Sequence, residues 1–158
     1  MQHIAQAHNE CQLVTLAMLQ DKDVAEVRHE LIELAKQISG KQFRTWNSVI
    51  NHGLSYDALR QYAARYAIEF PAHFKTIHGI KLPVNGSDVR NYVSDLTVDM
   101  LQGKGQLTVA KHRGRDCHAV AYHDGLIYDG NADGPLTIAD WQKQFPMWAY
   151  VIVQPWRE

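Results

Sequence analysis

The spacing of apolar residues divides the chain into two parts that meet near residue 104. In the first part, apolar positions recur every three or four residues, the period of a helix that buries one face. Five helices are predicted: one after Cys11, one over residues 24–38 that stops at Gly40, one over residues 43–52, one that begins at the cap Ser55, and one from a cap at Ser87 or Asp88 to just before Gly103. Residues 68–85 lack this period and are predicted to be irregular, with room for a short strand or two.

In the second part, short apolar stretches separated by turn residues predict strands. The predicted elements are strands at residues 106–111, 117–123, 126–129 and 149–154, with a short helix after the cap Thr137. The Asp124-Gly125 pair is the strongest hairpin signal, because both residue types tolerate the positive φ angles that a tight turn requires. Helices followed by an antiparallel sheet indicate the α+β class, and residues 1–158 are predicted to form one domain.

Composition narrows the class of protein without indicating a chemistry. The 158 residues are 46% hydrophobic and 21% charged, as in an ordinary globular domain. A net charge of -1 favours neither nucleic acid nor an anionic membrane as a partner, and no apolar run is long enough to span a bilayer. The first 20 residues lack the basic and apolar segments of a secretory signal. The two cysteines do not make a disulfide framework, so a reducing, cytoplasmic location is expected.

Cys11 and His118 carry the candidate chemistry. Cys11 stands at the head of the first predicted helix, and His118 opens the strand that hairpins back to Asp129. A thiol is a useful nucleophile only as thiolate, and both a helix N-terminus and a nearby imidazolium lower its pKa. A third polar side chain can orient the imidazole. A lone cysteine or histidine is ordinarily structural, but their joint occurrence in this order favours a catalytic triad.

The predicted hairpin leaves two residues as candidates for the third member of the triad. Its two-residue turn places His118 directly opposite Asn131 and diagonal to Asp129. A carboxylate stabilises an imidazolium better than an amide does, so Asp129 is preferred while Asn131 stays open. Cys117 points to the other face of the sheet and is predicted to be a buried structural thiol.

Other polar clusters are weaker candidates. The histidines between residues 112 and 123 do not have the spacing of a zinc site on one helical face, and neither a metal nor another cofactor is expected. Lys111, Arg113 and Arg115 make a basic turn whose simplest interpretation is a solvated hairpin tip. If this turn is functional, it favours an acidic substrate.

Several short segments resemble the bacteriocin-processing double-glycine peptidases of the papain superfamily. These enzymes begin with a Gln, several residues, an acidic residue and Cys, then a helix of Leu-Ala-Met character, as do residues 4–19 here. Residues 118–121 resemble their His-Phe-Val-Val strand, and residues 127–129 resemble their strand that ends in Asp-Pro. Residues 129–131 are also similar to the Asp-Pro-Asn of some papain-like bacterial effector proteases. The order Gln, Cys, His, Asp agrees throughout.

The resemblance implies a papain-like fold and a role for each matching residue. Cys11 would attack a carbonyl, and His118 would act as general base and then as general acid. Asp129 would hold the imidazole, and Gln6 with the backbone N–H of Cys11 would form the oxyanion hole. The chain departs from the family pattern at two points: Gln6 lies one residue closer to the cysteine, and Gln12 replaces the glycine that follows it.

The expected function is therefore a thiol hydrolase, most simply a cysteine peptidase that cleaves a peptide or isopeptide bond through an acyl-enzyme. Its expected partner is a protein or peptide substrate, and delivery as an effector is the alternative to a resident cytoplasmic role. A deamidase or transglutaminase on the same triad is a second interpretation. A non-enzymatic binding protein that kept the fold is a third. The sequence leaves the substrate and the oligomeric state open.

Overall fold

A computed structural model describes residues 1–7, 10–40, 61–62, 65, 73–77, 80–84, 91–112 and 117–156. Within these ranges the architecture is α+β, as predicted, with helices and two antiparallel sheets. The helix predicted over residues 43–52 lies outside the described residues. Of the helix predicted after Ser55, residues 61, 62 and 65 are described, and all are helical.

The first two helices confirm the hydrophobic pattern. α1 (Cys11–Gln20) begins at the candidate nucleophile, and α2 (Val24–Ser39) stops at Gly40, whose φ of 69° is the left-handed conformation typical of a helix end. Every residue of α1 from Leu13 to Leu19 is buried, because α1 is packed against α2 and against the large sheet. The candidate nucleophile therefore begins an element that is held on several sides.

The strands form a small hairpin and a six-stranded sheet. They are β1 (His73–Ile77), β2 (Ile80–Val84), β3 (Asn91–Tyr92), β4 (Lys104–Lys111), β5 (Cys117–His123), β6 (Leu126–Tyr128), β7 (Leu136–Thr137) and β8 (Trp148–Pro155). β1 and β2 pair with each other in the stretch predicted to be irregular, and the other strands lie in the order β3-β8-β4-β5-β6-β7. A further helix, α3 (Ile138–Gln144), follows β7 and is capped by the Thr137 hydroxyl, as predicted.

The helix predicted between residues 87 and 103 is wrong where that segment is described. The chain there forms the edge strand β3, which pairs with β8, and then two 3₁₀ turns at Val93–Asp95 and Val98–Leu101. Val93 and Leu96 are buried against the sheet. Their three-residue spacing suits a 3₁₀ turn as well as an α-helix, and packing on the sheet decided between the two.

The hairpin of β5 and β6 has the predicted register. Tyr122 lies opposite Ile127 and His123 lies opposite Leu126. Asp124 and Gly125 have φ angles of 47° and 85°, which is the pattern of a tight turn with both central residues left-handed. β6 ends at Tyr128, one residue earlier than predicted, and the ladder does not reach residue 131.

Alternate side chains of β5 face two different cores. Ala121 packs with Val14 and Met18 of α1 on one side of the sheet. Val120 and Tyr122 pack on the other side, in the core that contains Trp141 of α3. Because side chains alternate along a strand, His118 belongs to the α3 side and Ala119 to the α1 side.

Gly105 provides a test of the packing between β4 and its neighbours. A Cβ atom at this position would lie 2.4 Å from the backbone oxygen of Gln154 and 2.4 Å from the Tyr122 hydroxyl oxygen. We expect Gly105→Ala to lower the free energy of unfolding by about 1–3 kcal/mol, because the backbone of β8 must move. Urea denaturation measures the change.

Gly134→Ala is the matched control for Gly105→Ala. A Cβ atom at Gly134 would have no heavy atom within 4 Å, so its effect should stay within about 0.5 kcal/mol. Equal denaturation midpoints for the two variants would contradict the close approach of β4 and β8.

Candidate active site

The candidate site lies where β6 leaves the edge of β5. β6 pairs with β5 from Ala121 to His123, so the outer edge of β5 at Ala119 has no ladder partner from β6. The first residue of α1, Cys11, reaches this edge from one face of the sheet. The side chain of His118 comes from the other face and lies close enough to Cys11 to lower the pKa of its thiol.

The environment of the Cys11 thiol favours the thiolate. Burial is the largest single influence on its pKa and raises it. The hydrogen bond and the positive charge of His118 act in the other direction, together with the backbone N–H groups of Ala119 and Gln12. These contacts outweigh burial, and the pKa of Cys11 lies below its ordinary value.

His118 connects the thiol to a carboxylate. Its ring is buried, and its Nε2 donates to Asp129 Oδ1 at 2.8 Å. Burial, the largest influence, lowers the pKa of His118. The hydrogen bonds and negative charges of Asp129 and Cys11 outweigh it and raise the pKa to about 9. Both pKa shifts favour transfer of the thiol proton to the imidazole, which would give a thiolate–imidazolium pair.

Asp129 is fully buried, and the structure satisfies both of its carboxylate oxygens. Oδ1 accepts from His118 and from the backbone N–H of Asn131 at 2.9 Å, and Oδ2 accepts from Trp141 Nε1 at 2.9 Å. Burial is the largest influence on the pKa of Asp129 and raises it, but the bonds from His118, Trp141 and Asn131 outweigh burial and hold the pKa below its ordinary value. The surroundings of Asp129 thus favour its ionised form, which binds the imidazole of His118.

Asn131 has a supporting position in this arrangement. Residues 129–132 form a turn closed by the bond from Ala132 N to Asp129 O at 3.0 Å, so the chain leaves the sheet before Asn131. Its side chain is exposed, and its contact with the site is the backbone N–H that binds Asp129. Between the two candidates that the sequence left open, the structure brings Asp129 to His118.

Two tryptophans that the sequence did not indicate as site residues lie next to the candidate triad. Trp141 binds Asp129, and Trp148 stacks on His118 with ring centroids 5.4 Å apart and an interplanar angle of 13°. A charged imidazole over an indole face gains a cation–π attraction. No spacing rule links Trp148 to His118, because the return of β8 to the sheet produces the contact.

Gln6 lies beside the turn that carries Asp129. Its backbone N–H donates to Gly130 O at 2.9 Å, and its side chain covers Gly130 so closely that a Cβ atom there would meet it at 2.7 Å. Its Oε1 atom is buried and has no hydrogen-bond partner among the residues that the structure describes. These contacts place Gln6 against the turn, and its role as an oxyanion donor to a substrate stays a prediction.

Cys117 does not have the predicted environment. It was expected to be a buried structural thiol, but its side chain is exposed. β5 begins at Cys117 and is covered only from the next residue onward, so the start of the strand lies at the surface. Neither Cys117 nor Cys11 is in a disulfide.

Gln12 anchors the first turn of α1 to the sheet. Its side-chain amide exchanges two hydrogen bonds with the buried Gln106 of β4, at 2.7 and 3.1 Å. The Gln106 amide also donates to the Thr108 hydroxyl, and this hydroxyl donates to the buried Gln154 of β8. In place of the glycine of the resembled family, this chain has a side chain that ties the residue after Cys11 to two strands.

The other sequence candidates do not form a site in the described residues. Within those ranges, no group of three or more His, Cys, Asp or Glu side chains is placed to hold a metal ion. Of the basic turn, Lys111 is described, and its Nζ lies 6.0 Å from the centroid of the Trp148 ring. Arg113 and Arg115 lie outside the described residues.

The chain was compared with protein-family models, with curated proteins and with solved structures, and none of the three comparisons found a match. Among the helices that the structure describes, none combines the length and apolar character needed to cross a membrane.

The thiolate–imidazolium pair leads to a test of cysteine reactivity. At neutral pH, iodoacetamide should alkylate Cys11 at least about tenfold faster than Cys117, although Cys117 is the more exposed thiol. The reason is that His118 and the N–H groups of Ala119 and Gln12 hold Cys11 as thiolate. Mass mapping after brief labelling measures both rates.

His118→Ala is the control for this reactivity. Removal of the imidazolium raises the pKa of Cys11, so the alkylation rate should reach its plateau only at a higher pH than in the unmodified chain. Faster labelling of Cys117, or an unchanged pH dependence in His118→Ala, would argue against the thiolate–imidazolium pair.

Proposed function

We propose that this chain is a thiol hydrolase, and specifically a cysteine peptidase with a papain-like arrangement of nucleophile helix and antiparallel sheet. The observation that supports this proposal is the series Cys11–His118–Asp129, in which a buried carboxylate binds an imidazole that lowers the pKa of a thiol at a helix start. Such a series activates a nucleophile by lowering its pKa and by holding a proton donor beside it.

The proposed reaction proceeds through an acyl-enzyme. The thiolate of Cys11 attacks the carbonyl carbon of the substrate, and the bond to the leaving nitrogen breaks as His118 donates its proton to that nitrogen. His118 then takes a proton from a water molecule, which attacks the thioester and releases the acid product together with the thiolate. Asp129 stabilises the imidazolium at both ends of this cycle.

A peptide library distinguishes the proposed peptidase from its alternatives. The chain and its Cys11→Ala variant are incubated with peptides prepared from a whole proteome, and the products are identified by mass spectrometry. New termini that depend on Cys11 are expected. Conversion of Gln to Glu without chain cleavage would instead indicate a deamidase on the same triad. No Cys11-dependent product would favour a binding protein that has kept the fold.

Asp129 and Asn131 provide the sharpest test of the triad itself. Asp129→Asn should lower kcat/KM by roughly 100-fold or more, because an amide neither stabilises the imidazolium nor preserves its orientation. Asn131→Ala keeps the backbone N–H that binds Asp129 and should stay within about threefold of the parent chain. The assay is Cys11-dependent hydrolysis of 4-nitrophenyl acetate, with circular dichroism as the check of folding.

The converse result would overturn the assignment. If Asn131→Ala has the much lower kcat/KM and Asp129→Asn is nearly as active as the parent chain, Asn131 is the residue that orients His118. The exposed side chain of Asn131 would then have to turn inward in the active protein.

A further inference from the structure

A cavity of ≈ 220 Å³ opens next to the candidate triad. It is lined by Val93, Ser94, Gln142, Phe145, Pro146 and Trp148. The cavity lies between the 3₁₀ turn at Val93–Asp95, the end of α3 and the start of β8. None of these lining side chains carries a charge at neutral pH.

Trp148 is the residue that this cavity shares with the triad. Its ring lines the cavity and also stacks on the ring of His118 at 5.4 Å. The cavity is therefore separated from the His118 imidazole by a single indole ring.

The chemistry of the triad decides which side of the substrate meets the cavity. The acyl part of the substrate becomes attached to Cys11, whereas the leaving nitrogen takes its proton from His118. The leaving portion is therefore on the His118 side, and Trp148 is the aromatic wall next to His118.

The volume and lining of the cavity favour an aromatic occupant. Its volume exceeds the about 150 Å³ that accommodates a benzene molecule in an engineered protein cavity. Phe145 and Trp148 supply aromatic surface, and such rings pair favourably with another ring. The Gln142 amide already donates to Val93 O, and none of the described residues that line the cavity is ionisable. A charged side chain would therefore lose its hydration without gaining a partner among them.

We propose that this cavity is a substrate-binding subsite for an aromatic side chain on the leaving-group side of the scissile bond. The inference rests on the proposed thiol hydrolase function and adds a substrate class to it: peptides with a Phe-like residue after the cleaved bond. Trp148 and Phe145 are its specificity-determining walls.

The subsite can be tested by the reverse of the leaving-group step. 4-Nitrophenyl acetate acylates the Cys11 thiolate, and 4-nitrophenol leaves with the proton of His118. An amino acid amide can then replace water: its nitrogen attacks the thioester, the C–S bond breaks, and His118 accepts the proton. The products are the N-acetyl amino acid amide and the restored thiolate–imidazolium pair. Phenylalaninamide and alaninamide are compared at equal concentration, and their products are measured by chromatography.

We expect phenylalaninamide to give at least about tenfold more acetylated amide than alaninamide. The reason is that phenylalaninamide has an aromatic ring that the cavity can bury, whereas alaninamide has only a methyl group. Ser94 is an exposed lining residue, so Ser94→Phe fills the cavity with little effect on the core. This variant should lose the preference for phenylalaninamide while its rate of alkylation by iodoacetamide stays unchanged. Ser94→Ala is the matched control and should keep the preference.

Any other outcome would overturn the inference. The alkylation rate of Cys11 then shows whether the subsite alone or the proposed function as well has failed. Equal use of the two amides by a chain whose Cys11 is selectively alkylated would overturn the subsite and leave the thiol hydrolase intact. A preference that persists in Ser94→Phe would place aromatic recognition elsewhere. A chain in which Cys11 is neither alkylated selectively nor acetylated would overturn the proposed function and the subsite together.

Discussion

The buried carboxylate of Asp129 is the constraint on which the rest of the candidate site depends. A buried anion is costly unless donors surround it, and here His118, Trp141 and the backbone of Asn131 supply them. Each donor comes from a different element: β5, α3 and the turn after β6. Satisfying one carboxylate therefore fixes three parts of the fold relative to one another. The pKa of His118 rises to about 9 as a consequence, and the thiolate of Cys11 is stabilised in turn.

The second requirement is that side chains from opposite faces of the sheet come together at one point. α1 packs on the face opposite to His118, so Cys11 and His118 could not touch through the middle of the sheet. They touch because β6 ends at Tyr128 and leaves the edge of β5 accessible. Two buried polar groups of the sheet, Gln106 and Gln154, belong to the network that ties the first turn of α1 in place through Gln12. The early end of β6 thus makes room for the candidate site, and this network anchors the helix that begins at Cys11.

Much of this arrangement was predictable because its signals are local. The Asp124-Gly125 turn set the register of the hairpin, and the register placed His118 within reach of the segment that contains Asp129. Thr137 and Gly40 marked a helix start and a helix stop. The helix predicted after residue 87 failed for the opposite reason. Its apolar spacing was compatible with two kinds of turn, and contacts with distant strands selected the 3₁₀ form.

The sequence by itself determined the α+β class, the hairpin register and the residue types of a thiol site, because each follows from neighbouring positions. Only the tertiary structure decided that Asp129 and not Asn131 meets His118, since the point at which β6 leaves the sheet depends on packing. The same holds for the exposure of Cys117 and for the positions of Trp141 and Trp148 around the triad. Contacts between residues far apart in the chain depend on how α3 and β8 pack on the sheet, and no local sequence pattern predicts that packing.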